Sequence, residues 1–197
     1  MNGRRASPAD IAVGTLMTVA ALVHVGEHVR AGRPHEALWL CNVVALLVGP
    51  AVLVRSALFA AVGLTWMVPG TAVWLLDGIL AGSSILPTSY AAHLGGVAAS
   101  VYAVRRNGHA PRGWMAALAV LLLVALASRL ALPPSLNVNS AHAVPKGWEA
   151  FAIPGLPLWT GFQAFKAVVA LAAAYAGHVL GRAITRAAGA PGSAMDR

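Results

Sequence analysis

The sequence predicts an all-α protein, a polytopic transmembrane bundle of about six spans. Three observations carry this. Of 197 residues, 58% are hydrophobic and 10% charged, where ordinary soluble domains carry about 25% charged residues. The apolar runs approach the ~20 residues that a helix needs to cross a bilayer. The Arg and Lys residues gather at alternate breaks between those runs, as topology signals do.

The first helix is expected over 11–29, with Ser7 or Asp10 as its cap and Pro8 just inside. Its apolar run continues to Val29 without a convincing cleavage site, so it reads as an uncleaved span rather than a signal peptide. A second helix covers 36–54, with Gly49-Pro50 as a kink. A third covers 56–76, with Pro69-Gly70 as another, and a Gly- and Ser-rich turn follows over 77–87. The fourth covers 88–104, where Gly95-Gly96 admits a close neighbour. A polar loop over 105–112 leads to the fifth helix, 113–132, which stops at Pro133-Pro134. The outward segment 133–158 holds Pro133, Pro134, Pro145, Pro154 and Pro157, and loops of that length often serve function. The sixth helix covers 159–184. The chain thus divides into an N-terminal cytoplasmic segment 1–10, one transmembrane domain 11–184 and a tail 185–197 expected to be disordered.

Six spans put Arg4, Arg5, Arg55, Arg105, Arg106, Arg112, Arg182, Arg186 and Arg197 on one side. Arg30, Arg33 and Lys146 fall on the other. Nine against three places both termini in the cytoplasm of a multi-pass cell-membrane protein. Trp39, Trp74, Tyr90, Trp148 and Trp159 then lie near the outer interface and Trp114 near the inner one. The formal charge of +8 sits at these flanks rather than in a basic stripe with interleaved aromatics, which argues against a nucleic-acid partner. Membrane lipids are the expected partners; the oligomeric state is not legible. The lone Cys41 excludes an intrachain disulfide and a Cys-only metal site.

The polar residues are one-sided. His24, Glu27, His28, His35, Glu36, Cys41, Asn42, Asp77, His93, Asn137, Asn139 and His142 all map near the outer face. Ionisable groups at membrane depth are costly and mark candidate sites. Two constellations stand out. In His24-Val25-Gly26-Glu27-His28, the histidines are four apart on one helical face and Glu27 is three from His24. Such donors could hold zinc or iron; a wet helix end at the headgroups is the plainer alternative. The string also fits the H-x-x-E-H pattern of some zinc peptidases, but no supporting signature follows it. The second constellation is Cys41 with His93, at comparable depth in the second and fourth helices. An imidazole can turn a thiol into a nucleophile, although a buried free Cys is often a small hydrophobe. No cofactor is expected beyond a divalent metal at His24, Glu27 and His28. Asp77 reads as the end of the third helix or as an orienter of His93. Lys166 in the last helix lacks the surroundings of a retinal lysine, and His109 and His178 read as solvated at the inner face.

The stretch LWLCNVVALLVGPAVL resembles the LHLCD helix of the YwaF-type integral membrane proteins. That family includes a eukaryotic acyltransferase that remodels ether phospholipids. Over residues 36–180 the order of features agrees: Leu40-Cys41, then Trp66 to Gly70, then YAAHLGGVAASVY, then LNVNSAHAVPKGW and PGLPLWTGF. The acidic residue that usually follows the Cys is Asn42 here. The resemblance implies a membrane-embedded acyltransferase in lipid metabolism, with Cys41 as nucleophile and His93 as base; Asn42 and Asn139 as oxyanion donors and Asp77 beside His93 are the supporting polar groups that the residues themselves offer. The alternative is a non-enzymatic membrane protein that binds a metal or small ligand through outer-face histidines.

Overall fold

The computed structural model describes residues 6–81 and 86–189. These form six α-helices: α1 (Pro8–Arg30), α2 (Leu40–Leu53), α3 (Ala57–Ala81), α4 (Pro87–Asn107), α5 (Gly113–Ala131) and α6 (Leu158–Ala187). Among the described residues, α1, α3, α5 and α6 are long and apolar enough to cross a membrane. The expected six spans are therefore six helices with four candidate spans. α2 has 14 residues, about 21 Å at 1.5 Å per residue, short of a ~30 Å hydrocarbon core. α4 has 21 residues but is diluted by His93, Ser100, Arg105, Arg106 and Asn107. The chain is an all-α, multi-pass membrane protein by these criteria.

α3 is the centre. It packs on α2, α4, α5 and α6, while α1 packs on α2 and α4. Its membrane-length window is 44% buried, against 17% for α5 and for α6, which face outward. The core uses small and β-branched side chains: Ala21, Ala45, Val48, Val62, Ala99, Ala117 and Ala170 surround Trp66 and Met67. Small residues let helices approach closely where lipid supplies no hydrophobic drive. Large apolar residues instead point outward, with Leu16, Ile79, Leu122 and Leu130 all exposed. Trp66 Nε1 donates to the carbonyl of Ala117 at 2.8 Å, joining α3 to α5.

The helix ends follow local chemistry. Ser7 caps α1 in a reciprocal box with Asp10, and Pro8 follows it. Asp10 is also reached by Tyr102 Oη at 2.8 Å and Arg106 Nε at 3.1 Å from α4. α1 ends in a Schellman turn: Arg33 N donates to His28 O, Gly32 N donates to Val29 O, and Gly32 takes φ +72°. The same turn ends α2, with Arg55 at φ 54° in the place glycine usually takes.

Several boundaries differ from the sequence reading. Residues Pro34–Leu38 form a 3-10 turn and α2 begins at Leu40, so Cys41 lies in its first turn rather than one to two turns in. Pro34 sets that turn's φ, and Trp39 is extended at ψ 134°. α3 continues through Asp77 to Ala81, so Asp77 does not end the helix. Residues 82–85 of the expected turn lie outside the described residues. Helix six is longer at its C-terminal end than expected, and of the tail expected to be disordered, 185–187 are helical while 190–197 lie outside the described residues. The segment between α5 and α6 holds only short 3-10 turns. Asn139 pins it by donating to Leu38 O at 2.7 Å and Ser128 Oγ at 2.9 Å and accepting from Leu40 N at 2.9 Å.

Candidate functional site

The C-terminal end of α1 and the N-terminal end of α4 meet with the 3-10 turn between them and form one polar cluster. Four-residue spacing stacks His24 and His28 on a single face of α1. The Schellman turn then reverses the chain and returns Glu36, whose Oε2 lies 2.7 Å from His28 Nδ1. Arg33 Nη1 donates to the other oxygen of Glu36 at 3.1 Å. From α4, Thr88 Oγ1 lies 3.0 Å from His24 Nδ1 and donates to Glu27 Oε2 in a very short bond. His93 lies one turn on, with Nδ1 2.9 Å from the carbonyl of Ser89. Trp74 of α3 stacks on the His93 ring, at 4.4 Å between centroids and 11° between planes.

Hydrogen-bond logic fixes the protons. A carbonyl only accepts, so His93 Nδ1 carries hydrogen and its Nε2 holds a lone pair. Thr88 has one hydroxyl proton and gives it to Glu27, so His24 Nδ1 must donate to Thr88, which again leaves Nε2 as the lone pair. His28 Nδ1 lies 2.7 Å from Glu36 Oε2 without hydrogen-bond geometry, and its Nε2 is within hydrogen-bond distance of His24 Nε2. His24 and His93 are thus held through Nδ1 by an oxygen, and His28 stands beside the Glu36 carboxylate. The Nε2 atoms of His24 and His28 lie 3.3 Å apart. His93 Nε2 is buried without a hydrogen-bond partner, and its ring centroid is 6.4 Å from that of His24. All three rings are nearly inaccessible: His24 is 2% exposed, His28 7% and His93 3%.

The expected residues separate into those that join this cluster and those that do not. His24 and His28 form its centre. Glu27 turns to Thr88 and braces His24 rather than facing the gap between the Nε2 atoms. Cys41 is half-buried, and its Sγ contacts Asn42 Oδ1 at 3.8 Å. It lies against Gly70, where an added Cβ would stand 3.8 Å from Cys41 Cβ. Neither ring nitrogen of His93 is hydrogen-bonded to Cys41, since one faces Ser89 and the other has no partner. Asn42 is buried and donates to Glu36 O at 2.8 Å, so it positions the turn that carries Glu36. Asp77 accepts from Trp148 Nε1 at 3.2 Å. Asn139 has both amide-donor contacts committed to the loop described above. His142 lies beside Arg129, with 3.5 Å between Nδ1 and Nη1. Lys166 donates to Asn139 O at 2.7 Å and Gln163 Oε1 at 3.2 Å. His109 and His178 pair edge to face at 4.6 Å instead of standing separately in water.

Among the described residues, no three His, Cys, Asp or Glu side chains stand close enough together to hold a metal ion as they are. Grooves of about 330 Å³ beside Tyr175 and His178 and about 220 Å³ beside Arg182 and Arg186 are lined by none of the cluster residues. Sequence reasoning missed Glu36 and Thr88 as partners of the histidines. Their contacts depend on the 3-10 turn and on the α1–α4 packing, and neither leaves a mark in residue spacing.

No family model matches the chain, and no curated protein or solved structure matches it either.

Proposed function

We propose that this membrane protein binds a divalent transition-metal ion at its outer face through His24 and His28. One observation carries the reading: the Nε2 atoms of His24 and His28 face each other at 3.3 Å. A proton shared between the two nitrogens, or a metal ion in its place, holds them at that distance. Two ligands about 2.0–2.1 Å from a tetrahedral ion are separated by roughly 3.4 Å. The surrounding bonds also fit, because ligating histidines are oriented by an oxygen on the other ring nitrogen. Glu27, expected as a ligand, acts in this reading through Thr88. In the proposed topology both termini are cytoplasmic, lipid surrounds the spans, and the site meets the external aqueous phase. Elemental analysis after purification without chelators tests the binding. Close to one equivalent of metal is expected in wild type, with loss in His24→Ala and in His28→Ala. Metal-free wild type that also fails to take up added Zn²⁺ refutes it.

A second reading, acyl transfer on lipid, has its own support. His93 is held as the Nδ1–H tautomer, which leaves Nε2 as a buried base. In that mechanism the Cys41 thiol proton passes to His93. The thiolate attacks an acyl ester and forms a thioester, and the leaving alcohol takes the proton. A lipid hydroxyl then gives its proton to His93, attacks the thioester and regenerates the thiol. Asn42 retains an amide hydrogen for the oxyanion. Since Cys41 and His93 are not bonded at rest, the reading requires substrate to bridge them. The alkylation rate of Cys41 against pH, in wild type and His93→Ala, tests the pair. Reactivity that ignores His93 removes it.

A further inference from the structure

We propose that His93 completes a three-histidine metal site with His24 and His28, leaving one coordination position open to an exchangeable water or anion. This rests on the metal-binding reading above and adds the third ligand and the class of site. Three features of His93 carry it. Its Nε2 is a lone pair, is buried, and lacks a partner, which is a costly state for a polar atom at 3% residue exposure. Its Nδ1 is anchored to a backbone carbonyl, as His24 is anchored to Thr88, and Glu36 stands 2.7 Å from His28 Nδ1. Its ring lies at 6.4 Å from that of His24, where rings sharing a tetrahedral ion stand roughly 5 Å apart. The gap to close is about 1.4 Å. The stacking surface of Trp74 lets the ring slide in its own plane without losing contact.

Oxygens from two stretches of chain stand behind the three rings. Thr88 backed by Glu27 holds one ring, the 3-10 turn carboxylate stands beside the second, and the first turn of α4 holds the third. Protein ligands numbering three, all neutral nitrogen, are the arrangement of zinc sites that keep an open fourth position. Glu27 and Glu36 supply negative charge just behind the ligands. They would balance a divalent ion without touching it.

Cobalt(II) titration of the full-length protein in detergent, in a Cys41→Ser background, is the test. Wild-type ligands should give the intense visible bands of a four-coordinate ion, and added azide should shift them if one position exchanges. His93→Ala should weaken binding at least tenfold and lower band intensity. His93→Cys should restore binding and add a thiolate-to-cobalt charge-transfer band in the near ultraviolet. Glu36→Gln should weaken binding about 10–100-fold with the bands retained. Helical content and elution volume verify that each variant is folded. A charge-transfer band in His93→Cys establishes the third ligand even if His93→Ala folds poorly. Metal bound through His24 and His28 with identical spectra and affinity in all His93 variants overturns this inference and spares the two-histidine reading. Absence of binding to wild type sinks both.

Discussion

Replacing Gly49 by alanine should destabilise the bundle, whereas the same change at Gly26 should not. Gly49 lies where α2 crosses α1. A Cβ built there would stand 2.7 Å from Gly14 O and 2.7 Å from Thr18 N, and closer still to Thr18 Oγ1. The hydroxyl can rotate away, but the two backbone atoms cannot. Reaching an ordinary 3.4 Å contact from 2.7 Å displaces α1 from α2 by about 0.7 Å. Overpacking of this kind costs about 1–3 kcal/mol. The higher helix propensity of alanine returns about 0.8–1.0 kcal/mol. The net expectation is a loss of up to about 2 kcal/mol, seen as a lower unfolding midpoint in detergent by far-ultraviolet circular dichroism. Gly26, on the exposed face of α1, has nothing within 4 Å of its built Cβ, so Gly26→Ala should keep or raise the midpoint. The strain should also reach the site, because α1 carries His24 and His28 while the chain entering α2 carries Glu36. A Gly49→Ala protein as stable as wild type, or a shift of the same sign and size at both glycines, would refute the proposed α1–α2 contact.

Asn139→Ala should loosen the segment between α5 and α6. It removes three bonds and strands Leu40 N, at a cost of about 1–3 kcal/mol for a buried group left unmet; faster proteolysis between 133 and 157 with α-helical content unchanged is the expected readout. Trp66→Phe should cost about 0.5–1.5 kcal/mol through the lost bond to Ala117 O, and a midpoint equal to wild type would show that bond to be absent. Ser7→Ala should lower stability by about 1 kcal/mol through the lost cap of α1, measured by the same melt. Reporter fusions after α6 should score cytoplasmic; periplasmic activity would mean that the short α2, or α4, does not count as a crossing.

Much of the fold is legible in the sequence because hydrophobic length and helix punctuation act locally. The apolar runs, Pro8 after Ser7, and Pro133-Pro134 after α5 mark elements that the structure contains. The one-sidedness of His24, His28, Glu36 and His93 could be read from span parity alone. What sequence could not decide was which polar neighbours touch. His24 and His28 face each other because i,i+4 spacing is a helical property, visible in any chain. Glu36 reaches His28 only because Gly32 reverses the backbone and Pro34 opens a 3-10 turn, where the sequence pattern reads as the start of a helix. Thr88 and His93 reach α1 only because small residues in the core let α1 and α4 pack together. Cys41 and His93 share a depth, yet depth fixes one coordinate of three. The partners of each ring are set by helix rotation and crossing, which depend on every packed side chain at once. The ionisable cluster was therefore written in the sequence as a set of residues, and only tertiary packing brought His24, His28 and His93 together as buried neighbours.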